Sequence, residues 1–229
     1  MPEGPEVRKY ADALDKALSG RVIVSLEART RDARKWLHNN EQRLRGRRVK
    51  RVVSHGKHLL GYIEGDFFFH SHLMMWGRWQ TLGPKELPEK DRRERARIVV
   101  KGGAAILLSA PIFNVGEGDP YEKIEILSTL GPEALPYRGR FDCEEFLRRL
   151  FEHENETIGA ALLNQRIVAG LGNYLRAEIL FACKLNPWLT VGALTRQLRQ
   201  KTIQSEDDEE ERTRIVYFCA QCQATDLHE

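Results

Sequence analysis

Seven short runs rich in β-branched and aromatic residues, at 21–26, 49–54, 58–63, 67–72, 77–82, 96–101 and 104–108, follow one another with Gly or Pro turns between most of them. Many short strands at this spacing predict a sandwich or barrel rather than a parallel sheet. A helix precedes them over residues 6–18. Val7, Ala11, Leu14 and Leu18 make one apolar stripe, Pro5 and Glu6 suit the first turn, and Ser19-Gly20 supplies a stop. The character changes at Leu130-Gly131-Pro132, and Pro136 to Gly139 reads as a linker. Residues 142–151 and 157–200 are helical in pattern, with Pro187 breaking the run. The chain is therefore expected to be α+β: an N-terminal helix and β domain over residues 1–131, a hinge at 132–139, and a helical domain over 140–200.

A hydrophobic fraction of 41% over 229 residues supports a real core and excludes wholesale disorder. No apolar stretch approaches the ~18–20 residues that a bilayer demands. The charged, proline-broken start MPEGPEVRKY is not a signal-peptide core. Four scattered cysteines argue against a disulfide framework and for a reducing, cytosolic setting. In such a setting the acceptor pattern Asn155-Glu156-Thr157 is a chance match.

The net charge of +3 hides a strong asymmetry. Residues 206–211 are six consecutive carboxylates, which leaves 36 basic against 27 acidic residues on the rest of the chain. Between Arg29 and Lys57 eleven Lys/Arg oppose only Asp32 and Glu41. This concentration suits a polyphosphate, and equally a solvated strand-and-loop surface. The acidic run reads as a solvated linker.

Four features could carry chemistry. In Met1-Pro2-Glu3-Gly4-Pro5-Glu6, removal of the initiator methionine would give Pro2 a free secondary amine. An α-amino group titrates near ~8, far below lysine, so much of it is nucleophilic at neutral pH. Attack on a sugar C1′ gives an iminium ion directly and acidifies the C2′ protons. Glu3 could open the sugar as general acid. The plainer reading is a helix start. In Gly170-Leu171-Gly172-Asn173 the glycines allow a tight turn before a helix, and Asn173 could cap that helix or reach a phosphate oxygen. Cys219 and Cys222 form one CxxC, half of a zinc site, with Cys183 and His228 as conceivable completions. Met74-Met75-Trp76, after Phe67-Phe68-Phe69, is either buried strand or an apolar wedge for a base stack. His70 and His72, two apart on one strand, read as packed or hydrogen-bonded rather than metal-ligating, and Cys143 and Cys183 as buried thiols.

Together and in this order, the terminal PEGPEV, the lysine of SHGKHLL, and LLNQRIVAGLGNYLRAEIL resemble the formamidopyrimidine-DNA glycosylase/endonuclease VIII family over roughly residues 1–189. The resemblance implies a β-sandwich catalytic domain and a helix–two-turn–helix domain. It also implies a degenerate or partial zinc hairpin, with its acidic linker, over residues 201–229. It implies Pro2 as Schiff-base nucleophile and Glu3 as acid. Lys57, Asn173 and Arg214 would hold phosphate, and Met74, Met75 and Trp76 would fill the void left by a flipped nucleotide between the two domains. The consecutive void-filling residues are similar to the endonuclease VIII branch. The other branch carries an arginine where this chain reads Ser109 to Asn114. The expected activity is excision of oxidised bases, pyrimidines first, with β,δ-elimination. The expected enzyme is a monomer acting on double-stranded DNA with oxidised bases or abasic sites, away from membranes, in the cytoplasm at the nucleoid. Zinc is the one cofactor implied, and the missing first CxxC puts it in doubt. Rivals are an 8-oxoguanine/formamidopyrimidine-type enzyme, a catalytically silent binder of damaged DNA, and a ribosomal-RNA binder.

Overall fold

A computed structural model describes residues 1–84, 88–137 and 139–196. The chain divides into two compact units, Met1–Ser128 and Thr129–Glu229.

The first unit opens with α1 (Gly4–Leu18), whose buried stripe is the expected Val7, Ala11, Leu14 and Leu18 together with Gly4. Eight strands follow. They are β1 (Ile23–Ala28), β2 (Val49–His55), β3 (His58–Ile63), β4 (Phe67–His72), β5 (Arg78–Leu82), β6 (Glu94–Val100), β7 (Gly103–Leu108) and β8 (Ile112–Glu117). They form two four-stranded antiparallel sheets, ordered β1-β6-β7-β5 and β2-β3-β4-β8. Leu59, Phe69, Ile98, Ala105, Leu107 and Phe113 belong to a single core that both sheets share. α1 packs on strands of both sheets.

Two elements depart from the sequence reading. The basic stretch was expected to be strand and loop, yet α2 (Arg31–Leu44) occupies its first half. Its buried positions Ala33, Leu37 and Leu44 are spaced for a helix, and the dense charge between them masks that stripe. β8 was missed because its apolar residues are few and Gly116 weakens the pattern; it pairs fully with β4. Two short helices, α3 (Pro120–Lys123) and α4 (Glu125–Ser128), end the unit.

The second unit holds α5 (Cys143–Phe151), α6 (Ile158–Ala161) and α7 (Asn173–Ala182), with residues 191–196 helical again. The segment 157–200, read as helical in pattern with a break at Pro187 and a tight turn at Gly170-Leu171-Gly172, is interrupted over the longer stretch from Leu162 to Gly172. Gly170, at φ +107°, adopts a conformation that side chains resist. Phe146, Leu150, Ile158, Leu162, Ile167 and Leu180 belong to a separate core. Among the described residues, no helix is long and apolar enough to cross a membrane.

Candidate active site

Pro2 and Glu3 are not a loose tail. Glu3 is the N-cap of α1, with extended backbone, and it forms a capping box with Glu6, whose Oε2 accepts from the Glu3 N–H at 2.9 Å. Pro5 lies in the first turn, where its missing N–H costs nothing. The helix is fastened to β2 by two further bonds. Asp15 Oδ1 accepts from the Val52 N–H at 2.7 Å, and Ser19 Oγ donates to the Lys50 carbonyl at 2.7 Å. The amino terminus is thereby held against the sandwich.

Lys57 sits in the tight turn joining β2 and β3, beside Gly56 at φ +54°. Only 7% of Lys57 and 6% of Glu3 are exposed. Burial pulls the Lys57 ammonium below the ordinary lysine range, and the Glu3 carboxylate opposes that shift in part. An acid and a base thus share a sparsely hydrated place next to Pro2. Charges there act on one another, and on any incoming phosphate, more strongly than in water. A solvated cationic face does not bury its lysine.

Imidazoles surround this lysine. His58 follows it in the chain and stands opposite His72 across the strand pair. The positive charge of Lys57 bears on both rings, and together with burial it holds them neutral. Burial, and then the neighbouring histidines and Lys57, push His58 down to about 2. Burial and then Lys57 push His72 down to about 4. As expected for hydrogen-bonded strand neighbours, His70 Nε2 lies 2.9 Å from His58 Nδ1, and the Met74 N–H donates to His72 Nδ1 at 3.1 Å. The adjacency of His58 and His72 to Lys57 escaped the sequence reading. The pairing register carries it, and only the positions flanking Lys57 and the Met-Met-Trp run hinted at it.

Met74, Met75 and Trp76 lie in the turn between β4 and β5. Leu73 is buried and anchors the turn, whereas Met75 is 58% and Trp76 80% exposed. Buried strand is therefore the right reading for Phe67-Phe68-Phe69 and the wrong one for the turn. The turn is stiff. The Gly77 N–H donates to the Leu73 carbonyl at 2.8 Å, and a Cβ on Gly77 would stand 2.3 Å from that same oxygen. Met74 takes φ +54°, a strained choice for a side-chain-bearing residue. Three large apolar groups are thus held in water on a rigid base, at a free-energy cost that a protein-only role leaves unexplained.

In the second unit, Gln165 pins the two turns between α6 and α7. Its Nε2 donates to the carbonyls of Leu163 and Leu171 at 3.0 and 2.8 Å, and its Oε1 accepts from the Gly170 N–H at 3.0 Å. Gly172 takes the N-cap of α7, and Asn173 is its first, exposed residue. Of the two roles that the sequence left open for Asn173, the cap position therefore belongs to its neighbour. The side chain stands on the outer face of a pinned turn.

The structure brings Pro2, Glu3, Lys57 and the Met74–Trp76 turn together in one unit and holds Asn173 in the other. Arg214, Cys219 and Cys222 lie outside the described residues, as do His228 and the acidic run. Cys143 and Cys183 are half-buried free thiols, and burial raises the pKa of Cys183. Among the described residues no group of three or more His, Cys, Asp or Glu is placed to hold a metal ion. One CxxC supplies two of the four ligands that a tetrahedral zinc requires, so this donor set does not fit a complete site, and no step below involves one.

Residues 1–110 match the family model of the formamidopyrimidine-DNA glycosylase N-terminal domain, and residues 130–207 that of the formamidopyrimidine-DNA glycosylase H2TH domain. Endonuclease 8 of Pectobacterium carotovorum is 32% identical over 207 residues, covering 90% of this chain and 76% of its own. Endonuclease 8 of Salmonella arizonae is 32% identical over 187 residues, covering 81% and 69%. Among solved structures, Lactococcus lactis Fpg bound non-covalently to DNA containing an AP site superposes with a TM-score of 0.73 at 24% identity. That match covers 97% of this chain and 79% of that one. Another complex, of the LlFpg protein with THF-DNA and an inhibitor, superposes with a TM-score of 0.73 at 22% identity over the same shares. These two likenesses speak to the fold.

Proposed function

Since the chain belongs to the formamidopyrimidine-DNA glycosylase/endonuclease VIII family, on its endonuclease VIII-like branch, and so is a DNA glycosylase with AP lyase activity, we propose that Pro2 is its nucleophile and Glu3 its acid. Lys57 and Asn173 are the phosphate ligands, and Met74, Met75 and Trp76 fill the vacated stack. The observation that carries this reading is the burial of Glu3 with Lys57 at the capped start of α1, next to Pro2.

The chemistry follows from the groups. With the initiator methionine gone, the Pro2 nitrogen attacks C1′ of the damaged nucleotide and the base departs with its bonding electrons. A proton from Glu3 opens the ring at O4′. The resulting iminium draws electrons from C2′. Loss of a C2′ proton expels the 3′ phosphate, and a second elimination expels the 5′ phosphate. Extruding the nucleotide costs a few kcal/mol, least for a damaged base. Lys57 and Asn173 position the strand and read no sequence. Arg214 is proposed to join them as a third phosphate ligand. The substrates are oxidised pyrimidines in double-stranded DNA, a preference supported by the consecutive Met74-Met75-Trp76 turn and by the lack of an arginine among residues 109–114. The enzyme works as a monomer at the nucleoid.

Borohydride trapping on an abasic duplex tests the assignment, using chain that begins at Pro2. A covalent adduct mapped to Pro2 is expected. Binding of the abasic duplex without any adduct would instead mark a silent binder.

A further inference from the structure

Four histidines share the face of the second sheet that looks away from the common core, and the chemistry above employs none of them. His55 ends β2, His58 opens β3, and His70 and His72 stand two apart on β4. In the pairing register His55 faces His58, His58 faces His72, and His70 faces Asn114 of β8. The intervening residues Leu59, Phe69 and Phe113 point into the core. The His58 and His70 rings stack at 5.2 Å between centroids, and His72 meets His58 edge-on at 4.7 Å.

The hydrogen bonds have a direction. The Asn114 amide nitrogen lies 3.2 Å from His70 Nδ1 and can only donate. His70 Nδ1 is therefore the acceptor, and in the neutral ring the proton is on Nε2. That proton is given to His58 Nδ1 at 2.9 Å, which leaves the His58 proton on Nε2. His72 is set in the same tautomer from the other side, because its Nδ1 accepts the Met74 N–H. His55 is apart from this chain, with its Nδ1 2.9 Å from the Tyr121 hydroxyl.

We propose that the His58–His70–Asn114 chain is a positioning device for Lys57, fixing His58 as an uncharged Nε2–H imidazole beside His72, which the Met74 N–H holds in the same tautomer, so that Lys57 is the sole cation of this histidine cluster. The inference rests on the phosphate-binding role given to Lys57. Its physical sense is simple. A second cation beside Lys57 would repel it and compete for the phosphate, and protonating His72 Nδ1 would break the bond that holds the Met74 backbone. The charged and titratable groups facing His58 are His55, Lys57, His70 and His72, with Glu3 reaching Lys57 from α1. His70, almost wholly buried, is held at about 4 by that burial and by His72.

The test joins histidine ¹⁵N NMR to single-turnover lyase kinetics on an abasic duplex. In the wild type, His58, His70 and His72 are expected as Nε2–H tautomers that do not titrate between pH 5 and 8. His70→Phe keeps a ring and removes the relay. It should let His58 or His72 titrate in that range and lower the lyase rate constant at pH 6 by about tenfold, with little change at pH 8. His70→Gln, which can accept from Asn114 and donate to His58, should restore the wild-type profile. Wild-type imidazoles that titrate near pH 6.5, or a His70→Phe enzyme with an unchanged pH profile, would overturn the inference. Should His70→Phe fail to fold, Asn114→Asp, on the sheet's edge strand, decides. Its carboxylate can only accept, so it should invert the His70 and His58 tautomers, and unchanged tautomers would overturn the inference equally. Wild-type borohydride trapping separates the two levels: its absence sinks the enzymatic assignment, whereas its presence with an indifferent His70→Phe sinks only this one.

Discussion

The two units solve opposite problems with the same kind of side chain. The sandwich puts a carboxylate, an ammonium and two imidazoles under cover beside a half-buried third, where each costs free energy to keep. The helical unit leaves its polar candidate, Asn173, in water on the rim of a pinned turn. Burial lowers the affinity of the Lys57 ammonium and of the imidazoles for protons. Of the two phosphate ligands proposed, Lys57 is thus tuned by its surroundings, and Asn173 stands in water.

The sharpest way to break that contrast is Pro2→Gly. Replacing the fixed secondary ring amine with glycine's mobile primary amine should lower borohydride adduct formation by about a hundredfold, while duplex binding stays within a few-fold in gel-shift titration. An equal fall in binding would show that the amino terminus grips DNA rather than reacting with it. Acid should divide the units next. His70 and His72 are held at about 4 and His58 at about 2, against ~6.5 in an unfolded chain. As pH falls below 6.5 the unfolded state takes up protons and the folded state does not, so stability is complete above that value and is lost progressively towards pH 4. Urea unfolding at pH 5 should show the sandwich weakened by up to about 2 kcal/mol per histidine, with the helical unit little changed.

Smaller effects refine the picture. Lys57→Ala should weaken binding to all sequences alike and reduce the salt slope by about one phosphate contact; an unchanged slope removes Lys57 from the footprint. Gln165→Ala deletes three hydrogen bonds across the two turns between α6 and α7 and should cost the helical unit about 1–3 kcal/mol in thermal unfolding. Trp76→Ser should shift stability by no more than about 0.5 kcal/mol, yet it should reduce the preference for abasic over intact duplex. A large loss of stability would mean that Trp76 packs on protein.

Much of the architecture was legible in the sequence because its patterns were strong. The α1 stripe, with Pro5 ahead of it and Ser19-Gly20 behind, could hardly be another element, and the limits of β3 and β4 were read to the residue. α2 was hidden because six Lys, Arg, Asp and Glu residues crowd its fourteen positions, and charge is a poor guide to period. At the proposed site, local order singled out Pro2 and Glu3, and only the family resemblance singled out Lys57. What no linear reading supplies is cross-strand register. His58 and His72 are fourteen positions apart in sequence and edge to edge in space. Nor does linear order show that Gln165 makes three bonds across the turns between α6 and α7.

One last consequence comes from two glycines that flank β4. A methyl group on Gly61 would lie 2.0 Å from the Phe69 ring, and one on Gly116 would lie 2.6 Å from the Phe68 ring. Adjacent strands have given up their side chains so that two aromatic slabs, one on each face, can lie flat over bare backbone. A strand clamped in this way has little freedom to yield at its far end, where Met75 and Trp76 project. In the void-filling role proposed for Met75 and Trp76, an edge this stiff would leave the kink to the nucleic acid, most readily at steps already loosened by damage, so that weak stacking is found by a protein that does not bend.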